Sequence, residues 1–401
     1  MTLNGVDESG AAGSGNSRFA VASGCPALPP HIRQERNRDM NASLYFKAFV
    51  ISGLLATSAW AAPTIYVNAA TGSDANPGTS AGAPVQTITQ GILNVDADGT
   101  VIVAAGQYNE AVTLDKKVAL LGANSGVDPN TMVRGAETIM TAAAPMVTFA
   151  AGSAGSKLDG FKLTGAANDA VDGVIKGSAN DVIVANVIVD GNSAHGMNLT
   201  GVQGWTVEKN LVQNITGTSR SGLFLITFQN SIVRDNVIKN SVYAGIICDS
   251  VQNLTVQGNT VQNATQPGIQ VANSAGPVTI SGNTFTACNT SNSADKAAIS
   301  IYPNSPVVTV TGNTLSGNSG AFSVRNQAGT VAATVTVNYN DIIGNTAPAI
   351  RNRAQGGGTL DATNNWWGVA TGPAAGDIAE ANVLLVKIKI VIRIIKFMGE
   401  V

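Results

Sequence analysis

From about residue 170 the sequence repeats one phrase. An apolar pair at alternate positions is followed by two polar residues or a Gly, then Asn, then another apolar residue two further on. The Asn members are Asn186, Asn210, Asn236, Asn259, Asn283, Asn313, Asn340 and Asn365, at intervals of 23 to 30 residues. A second phrase, Gly or Ala followed by apolar–any–apolar, keeps step with it. Its copies open at Gly196, Gly222, Gly245, Gly268, Ala298 and Ala321, and Ala349 opens a degenerate one. Alternation over only three or four residues means very short strands with one buried face. Two or three such strands cannot close a core alone. Stacked coil on coil they can, each strand bonding to its counterparts at roughly 4.8 Å.

The expected fold is therefore all-β: a single-stranded right-handed parallel β-helix over residues 62–380. The Asn has two structural roles open to it. It tolerates left-handed backbone at a bend, and stacked copies can hydrogen-bond as an internal ladder. Upstream, residues 100–104, 111–114, 118–122 and 158–165 read as less regular coil elements. Residues 85–95 are apolar at helical spacing, with Thr87 and Thr89 near the start. They predict a short N-terminal helix capping the first coil, whose strand edges would otherwise be unpaired.

Both ends read differently. From Met40 a short n-region ends in Lys47, an apolar run fills 48–56, and Ala59-Trp60-Ala61 supplies a small-x-small site. That is the pattern of a secretory signal peptide over 40–61, cleaved after Ala61. It places the protein outside the cytoplasm: secreted, periplasmic or on the cell surface. Residues 1–39 are a polar, low-complexity extension, which suggests Met40 as the true initiator. Cleavage removes Cys25 and His31, leaving Cys248, Cys288 and a single histidine, His195. Cys248 is expected inside the stack; whether it pairs with Cys288 is left open. At the other end, residues 381–401 form a tail in which Val386, Ile388, Ile390, Ile392 and Ile394 alternate with Lys387, Lys389 and Arg393. This is a half-buried strand pattern with a cationic face, too short and too charged for a membrane helix.

Ile65-Tyr66-Val67-Asn68, Gly72-Ser73-Asp74 and Asn76-Pro77-Gly78-Thr79 resemble the opening segment of many pectin-lyase-like β-helix proteins. Gly106-Gln107-Tyr108-Asn109-Glu110, Leu120-Leu121-Gly122 and Leu158-Asp159-Gly160-Phe161 resemble phrases of that superfamily's early coils. Asn364-Asn365-Trp366-Trp367-Gly368, followed by Gly372-Pro373, is similar to the closing motif of many bacterial surface β-helix proteins. The resemblance covers roughly residues 64–373 and implies a fold; one fold hosts many activities. The first coils most resemble pectin methylesterases, but that family's paired Gln and paired Asp motifs have no counterpart. The Asn-Thr-Asp and Gly-His-Gly motifs of polygalacturonases and the Trp-Ile-Asp-His motif of pectate lyases are also missing.

A net charge of −2 gives no basic surface for nucleic acid. One histidine cannot build a two-His metal site. No motif calls for a cofactor. Calcium has only Gly356-Gly357-Gly358-Thr359-Leu360-Asp361, a single poor match to a nonapeptide repeat. Sugar chemistry remains open: glycosidases need two carboxylates about 5 to 10 Å apart, and uronate lyases and epimerases need a base beside a cation.

Counting from each Gly or Ala, positions two and four should point outward. One column reads Asn198, Phe224, Ile247, Gln270, Ser300, Ser323, Arg351; the other Thr200, Ile226, Asp249, Ala272, Tyr302, Arg325, Arg353. Tyr302, Arg325, Arg351 and Arg353 predict a cationic strip with one aromatic, suited to a polysaccharide or cell-surface glycan with acidic sugars. Asp249 is the one acid in these columns and the weak catalytic candidate. It lies three coils from Arg325, roughly 14 Å at strand spacing. Phe224, Ile226 and Ile247 form an outward apolar cluster that a loop or the C-terminal strand would cover. His195 reads as a turn residue beside the same sheet.

Two functions follow. The first is a secreted or surface protein that binds carbohydrate or another surface without assignable catalysis. The alternative is a lyase, hydrolase or epimerase acting on uronate polysaccharide. Whether the chain is an enzyme stays open, though the lack of paired acids favours binding; a degenerate, inactive member of the superfamily is a third possibility.

Overall fold

A computed structural model of the chain describes residues 63–166, 172–305, 307–329, 332, 334–379 and 383–385. The expected extension, signal peptide and alternating strand at 386–394 lie outside the described residues.

The described chain winds through three parallel sheets. Sheet 1 starts at Thr64–Val67, sheet 2 at Gly106–Tyr108 and sheet 3 at Val112–Leu114. One coil shows the plan: Gln252–Gln257 lies in sheet 1, Thr260–Gln262 in sheet 2 and Ile269–Ala272 in sheet 3. Each pairs in parallel with its equivalents one coil before and after. Parallel crossovers of this kind are right-handed. Alternate residues point inward and stack as aliphatic columns; Leu225, Cys248, Val271, Ile301 and Val324 form one, all essentially inaccessible to solvent.

The expected capping helix is present and shorter, α1 (Ile88–Asn94), with Thr87 as its N-cap accepting from the Gln90 N–H at 3.1 Å. Ile88, Gly91 and Ile92 are buried. Glu110 holds the helix from below, accepting from the N–H groups of Ile88 (2.8 Å) and Thr89 (3.0 Å). Asp74 accepts from the Gln86 and Thr87 N–H groups at 2.8 and 2.9 Å. Burial alone would raise its carboxyl pKa, but these bonds hold it below the usual range. At the far end Val383–Leu384 adds a strand to sheet 1 beside Leu360–Asp361.

The Asn ladder sits at the corner between sheets 1 and 2. Asn259 is typical. Its N–H donates to Asn283 Oδ1 (2.8 Å), its Nδ2 donates to Val233 O (2.9 Å) and Gln257 O (3.1 Å), and its Oδ1 accepts from Asn236 N–H (3.0 Å). The chain of such contacts runs from Asn210 to Asn365. Two expectations need correcting. The left-handed backbone belongs to the residue before each ladder Asn: Lys209, Asp235, Gly258, Gly282, Gly312, Tyr339 and Asn364 all have φ between 53 and 67°. And Asn186 is not a ladder member. It is itself the left-handed residue (φ 54°), and Val187 takes the ladder place, its N–H on Asn210 Oδ1 at 2.9 Å. The repeat slips by one residue there, and Asn186 Nδ2 turns to Asp159 Oδ1 at 2.8 Å instead.

The phrase beginning with Gly or Ala enters sheet 3. At Gly222 and Gly245 an added Cβ would meet the carbonyl oxygen of the next coil's glycine at 2.8 and 2.6 Å. Ala replaces Gly at Ala298, where sheet 3 is entered from a longer turn.

Both described cysteines are free and buried. Cys248 points into the stack as expected. Cys288 occupies a second ladder, after sheet 2: its N–H donates to Asn318 Oδ1, as that of Asn318 does to Asn345 Oδ1. Burial pushes both thiols up, Cys288 to about 12. His195 opens strand His195–Thr200 rather than lying in a turn. It is buried, accepts from Ser221 N–H at Nδ1 (3.0 Å), and stacks on Phe224 with ring centroids 4.4 Å apart.

Candidate functional site

The first outward column of sheet 3 falls in the expected register throughout, and the second does so from Thr200 to Ala272. Asn198, Phe224, Ile247, Gln270, Ser300, Ser323 and Arg351 pair consecutively down the stack, and Lys176, Thr148 and Thr113 extend the column upstream. The apolar patch is covered in part by the His195–Phe224 stack, and Ile247 is buried.

The cationic strip does assemble, but not as an open face. Arg325 and Arg351 are only 8% and 7% exposed, and Ser300 and Ser323 are fully buried. The cover is a loop. Twelve residues, 287–298, join sheet 2 to sheet 3 here, where the coil before uses six, 263–268. Asn289 folds this loop, its Nδ2 donating to the carbonyls of Ser293, Lys296 and Ser319 at 2.9 to 3.0 Å. The strip then clamps it. Arg325 Nε donates to Asp295 Oδ2 at 2.7 Å, and Asn326 N–H to Asp295 Oδ1 at 2.6 Å. Ser323 Oγ donates to Asp295 O at 3.1 Å. Arg351 Nη1 donates to the carbonyls of Ala294 (3.0 Å) and Lys296 (2.9 Å), and Arg353 Nη1 to Ala294 O at 3.0 Å.

Around that clamp Tyr302, Tyr243, Lys296, Gln266 and Gln270 are half-buried, while Arg325 between them is buried. Arg325 lies 4.9 Å over the Tyr302 ring and donates from Nη1 to Gln270 Oε1 at 3.0 Å. Lys296 lies 5.5 Å over the Tyr243 ring and donates to Gln266 Oε1. Burial, and then the nearby Arg325 charge, hold Lys296 below the usual ammonium range against the opposing pull of Asp295. The arrangement can accept anions through charge-assisted bonds and offers rings for the apolar faces of sugars.

Asp249 stands apart from this group, accepting from Ser250 Oγ (2.9 Å) and Asn273 Nδ2 (3.0 Å). The acid that does meet Arg325 is Asp295. Counting columns misses it, together with Lys296 and Tyr243, because none of the three lies in a strand. The signal was the longest interval in the Asn repeat, Asn283 to Asn313. Among the described residues no three His, Cys, Asp or Glu side chains are grouped to hold a metal ion, and no helix is long and apolar enough to cross a membrane.

A family model described as "Right handed beta helix region" matches residues 170–346. One described as "Protein of unknown function (DUF1565)" matches residues 70–247. No curated protein matches the sequence. Among solved structures, the lacto-N-biosidase from Eubacterium ramulus superposes with a TM-score of 0.50 at 11% identity, over 81% of this chain and 68% of that one. Pectate lyase Pel9A gives 0.48 at 11% identity, over 81% and 77%. The A-module of the Azotobacter vinelandii mannuronan C-5 epimerase AlgE4 gives 0.47 at 15% identity, over 72% and 91%. At such identities the likeness shows the fold alone. The described residues form a right-handed parallel β-helix.

Proposed function

We propose that this protein binds acidic polysaccharide on the rim of sheet 3, outside the cytoplasm. The observation that carries the reading is the half-buried rim of Lys296, Arg353, Tyr302 and Tyr243 around the buried Arg325 and Arg351. Export rests on the sequence pattern at 40–61. Retention on immobilised polygalacturonate and alginate tests the reading. The Arg325→Ala/Arg351→Ala double variant is expected to lose retention. Because both arginines also clamp the loop, Tyr302→Ala is the companion variant; its ring is half-buried and holds no backbone group. Unchanged retention in both variants sinks the proposal.

A second reading has one observation in its favour. Lys296, half-buried beside the buried Arg325, sets an amine next to a cation, and a base beside a carboxylate-binding cation is what β-elimination or epimerisation of a uronate requires. Absorbance of unsaturated products, and proton NMR of the polymer, test it. Silence from both, with binding intact, leaves binding as the function.

A further inference from the structure

The outer face of sheet 1 changes character along the stack. In its middle coils one outward column reads Lys157, Ile183, Thr206 and Ile232, and the column beside it holds the ion pair of Glu208 with Arg234. From strand Gln252–Gln257 onward the first column reads Thr255, Thr279, Thr309 and Thr336. The second, two residues on, reads Gln257, Ser281, Thr311 and Asn338. Val256, Ile280, Val310 and Val337 lie between the columns and point into the core, so these eight side chains share one outer face. None of them is charged or aromatic. Among the described residues the hydroxyls of the four column threonines, Thr311 and Ser281 bond to no protein group. Sheet 2 differs: there the outward hydroxyls of Thr286 and Ser316 bond to each other at 3.3 Å. Thr suits strands in general, but the earlier coils are strands too and carry Ile and Lys at the same column.

We propose that this face of sheet 1 binds ice. Parallel, in-register strands set the hydroxyls on a grid, roughly 4.8 Å from coil to coil and roughly 6.8 Å between the two columns. A β-branched side chain has few rotamers, so each Thr holds its hydroxyl and methyl in a fixed place on that grid. The natural ligand of such a surface is uncharged and repeats in two dimensions at the same spacings. Oxygen atoms in planes of hexagonal ice repeat at close to these distances, and each water there can both donate to and accept from a hydroxyl. The methyls fill the hollows between them. A second protein sheet laid on this face would leave its hydroxyls buried and unpaired. A sugar chain would find neither an aromatic ring nor a charged fork. Each contact is weak, but a rigid array engages all of them at once without ordering anything. The face lies on a different sheet from the rim around Arg325, and the inference is independent of that site.

The test is the partition of the fluorescently labelled full chain between growing ice and the liquid, with an inert protein of similar size as baseline. Thermal hysteresis of the same samples is the second readout. The parent is expected to enrich in the ice and to hold its growth. A Thr279→Tyr/Thr309→Tyr double variant should lose both effects, because two bulky rings break the plane, while its denaturant midpoint stays that of the parent. Thr113→Tyr, an exposed position on sheet 3, should leave both effects intact. A parent excluded from ice to the same degree as the inert protein overturns the proposal, whatever the variants do. So does a folded double variant that still enriches, or a loss produced equally by Thr113→Tyr. Self-association that the double variant abolishes, with no enrichment in ice, assigns the face to a second copy of the chain and overturns it as well.

Discussion

The corner between sheets 1 and 2 and the rim of sheet 3 solve the same problem, polar groups shut away from water, in opposite ways. At the corner one residue type repeats from Asn210 to Asn365, and each copy's side chain satisfies backbone of the coil before it. At the rim there is no such ladder: Arg325, Arg351, Arg353, Ser323 and Asn326 all bond to one loop through unlike contacts to Ala294, Asp295 and Lys296. Buried backbone must be paired wherever it occurs, so a regular stack can meet the demand with a regular side chain. An insertion that occurs once needs its own set. The comparison teaches that periodicity marks scaffold in this molecule, and the candidate site lies where the period is longest.

The contrast can be broken at its strongest point first. Asn259→Ala deprives Val233 O of a buried donor and Asn236 N–H of its acceptor. It should cost about 3–4 kcal/mol in denaturant unfolding. A loss within about 0.5 kcal/mol, as for an ordinary surface substitution, would show that the ladder is incidental.

Asp295→Ala tests the rim. The pair it forms with Arg325 is mostly buried, with side chains 10% and 26% exposed. About 1–2 kcal/mol should be lost after allowing for its partial exposure. The loop at 287–298 should become open to protease while the rest of the stack stays resistant. Uniform loosening of the whole molecule would mean that the rim is not a separate unit.

A smaller effect sharpens the corner where the ladder slips. Asp159 is buried, and burial alone would raise its carboxyl. Bonds from Lys157, Asn186 and Gly126 outweigh that and hold it below the ordinary 3.8. A depressed carboxyl contributes stability above its unfolded value, and that stability is lost as pH falls through the folded one. Acid unfolding below about pH 4 should therefore be less steep in Asp159→Asn than in the parent. Parallel acid profiles would contradict the assignment. The smallest change belongs to Asn263→Ala, on an exposed side-chain ladder outside the coil, where Asn263 Nδ2 bonds Asn240 Oδ1 at 3.1 Å. It should alter the unfolding midpoint barely measurably, by under about 0.5 kcal/mol.

Much was legible in the residues themselves. Alternation of apolar side chains determined the short strands, and the stepped phrases determined their register, so that Gln270, Ser300, Ser323 and Arg351 stack as the numbering implied. Thr87 announced the capping helix because an N-cap is a local interaction. Local and periodic patterns can be read in this way since each coil meets nearly the same surroundings as the last. The one-residue slip at Asn186 shows the limit, since Asn serves both as the left-handed residue and as the ladder residue.

The tertiary structure decided what periodicity does not encode. Whether an outward arginine meets water or a loop depends on how twelve residues fold back over the sheet, and their own sequence carries no repeat. Asp295 and Lys296 therefore surfaced only once the loop was placed against Arg325, Gln266 and Tyr243. The pairing of cysteines was decided in the same way. Cys248 faces the core column and Cys288 a corner ladder, where burial keeps both as thiols and raises their pKa. The sequence determined the stack because stacking is a sum of nearest-neighbour contacts that recur from coil to coil; the site depends on contacts of one loop that recur nowhere else, which only the folded chain brings together.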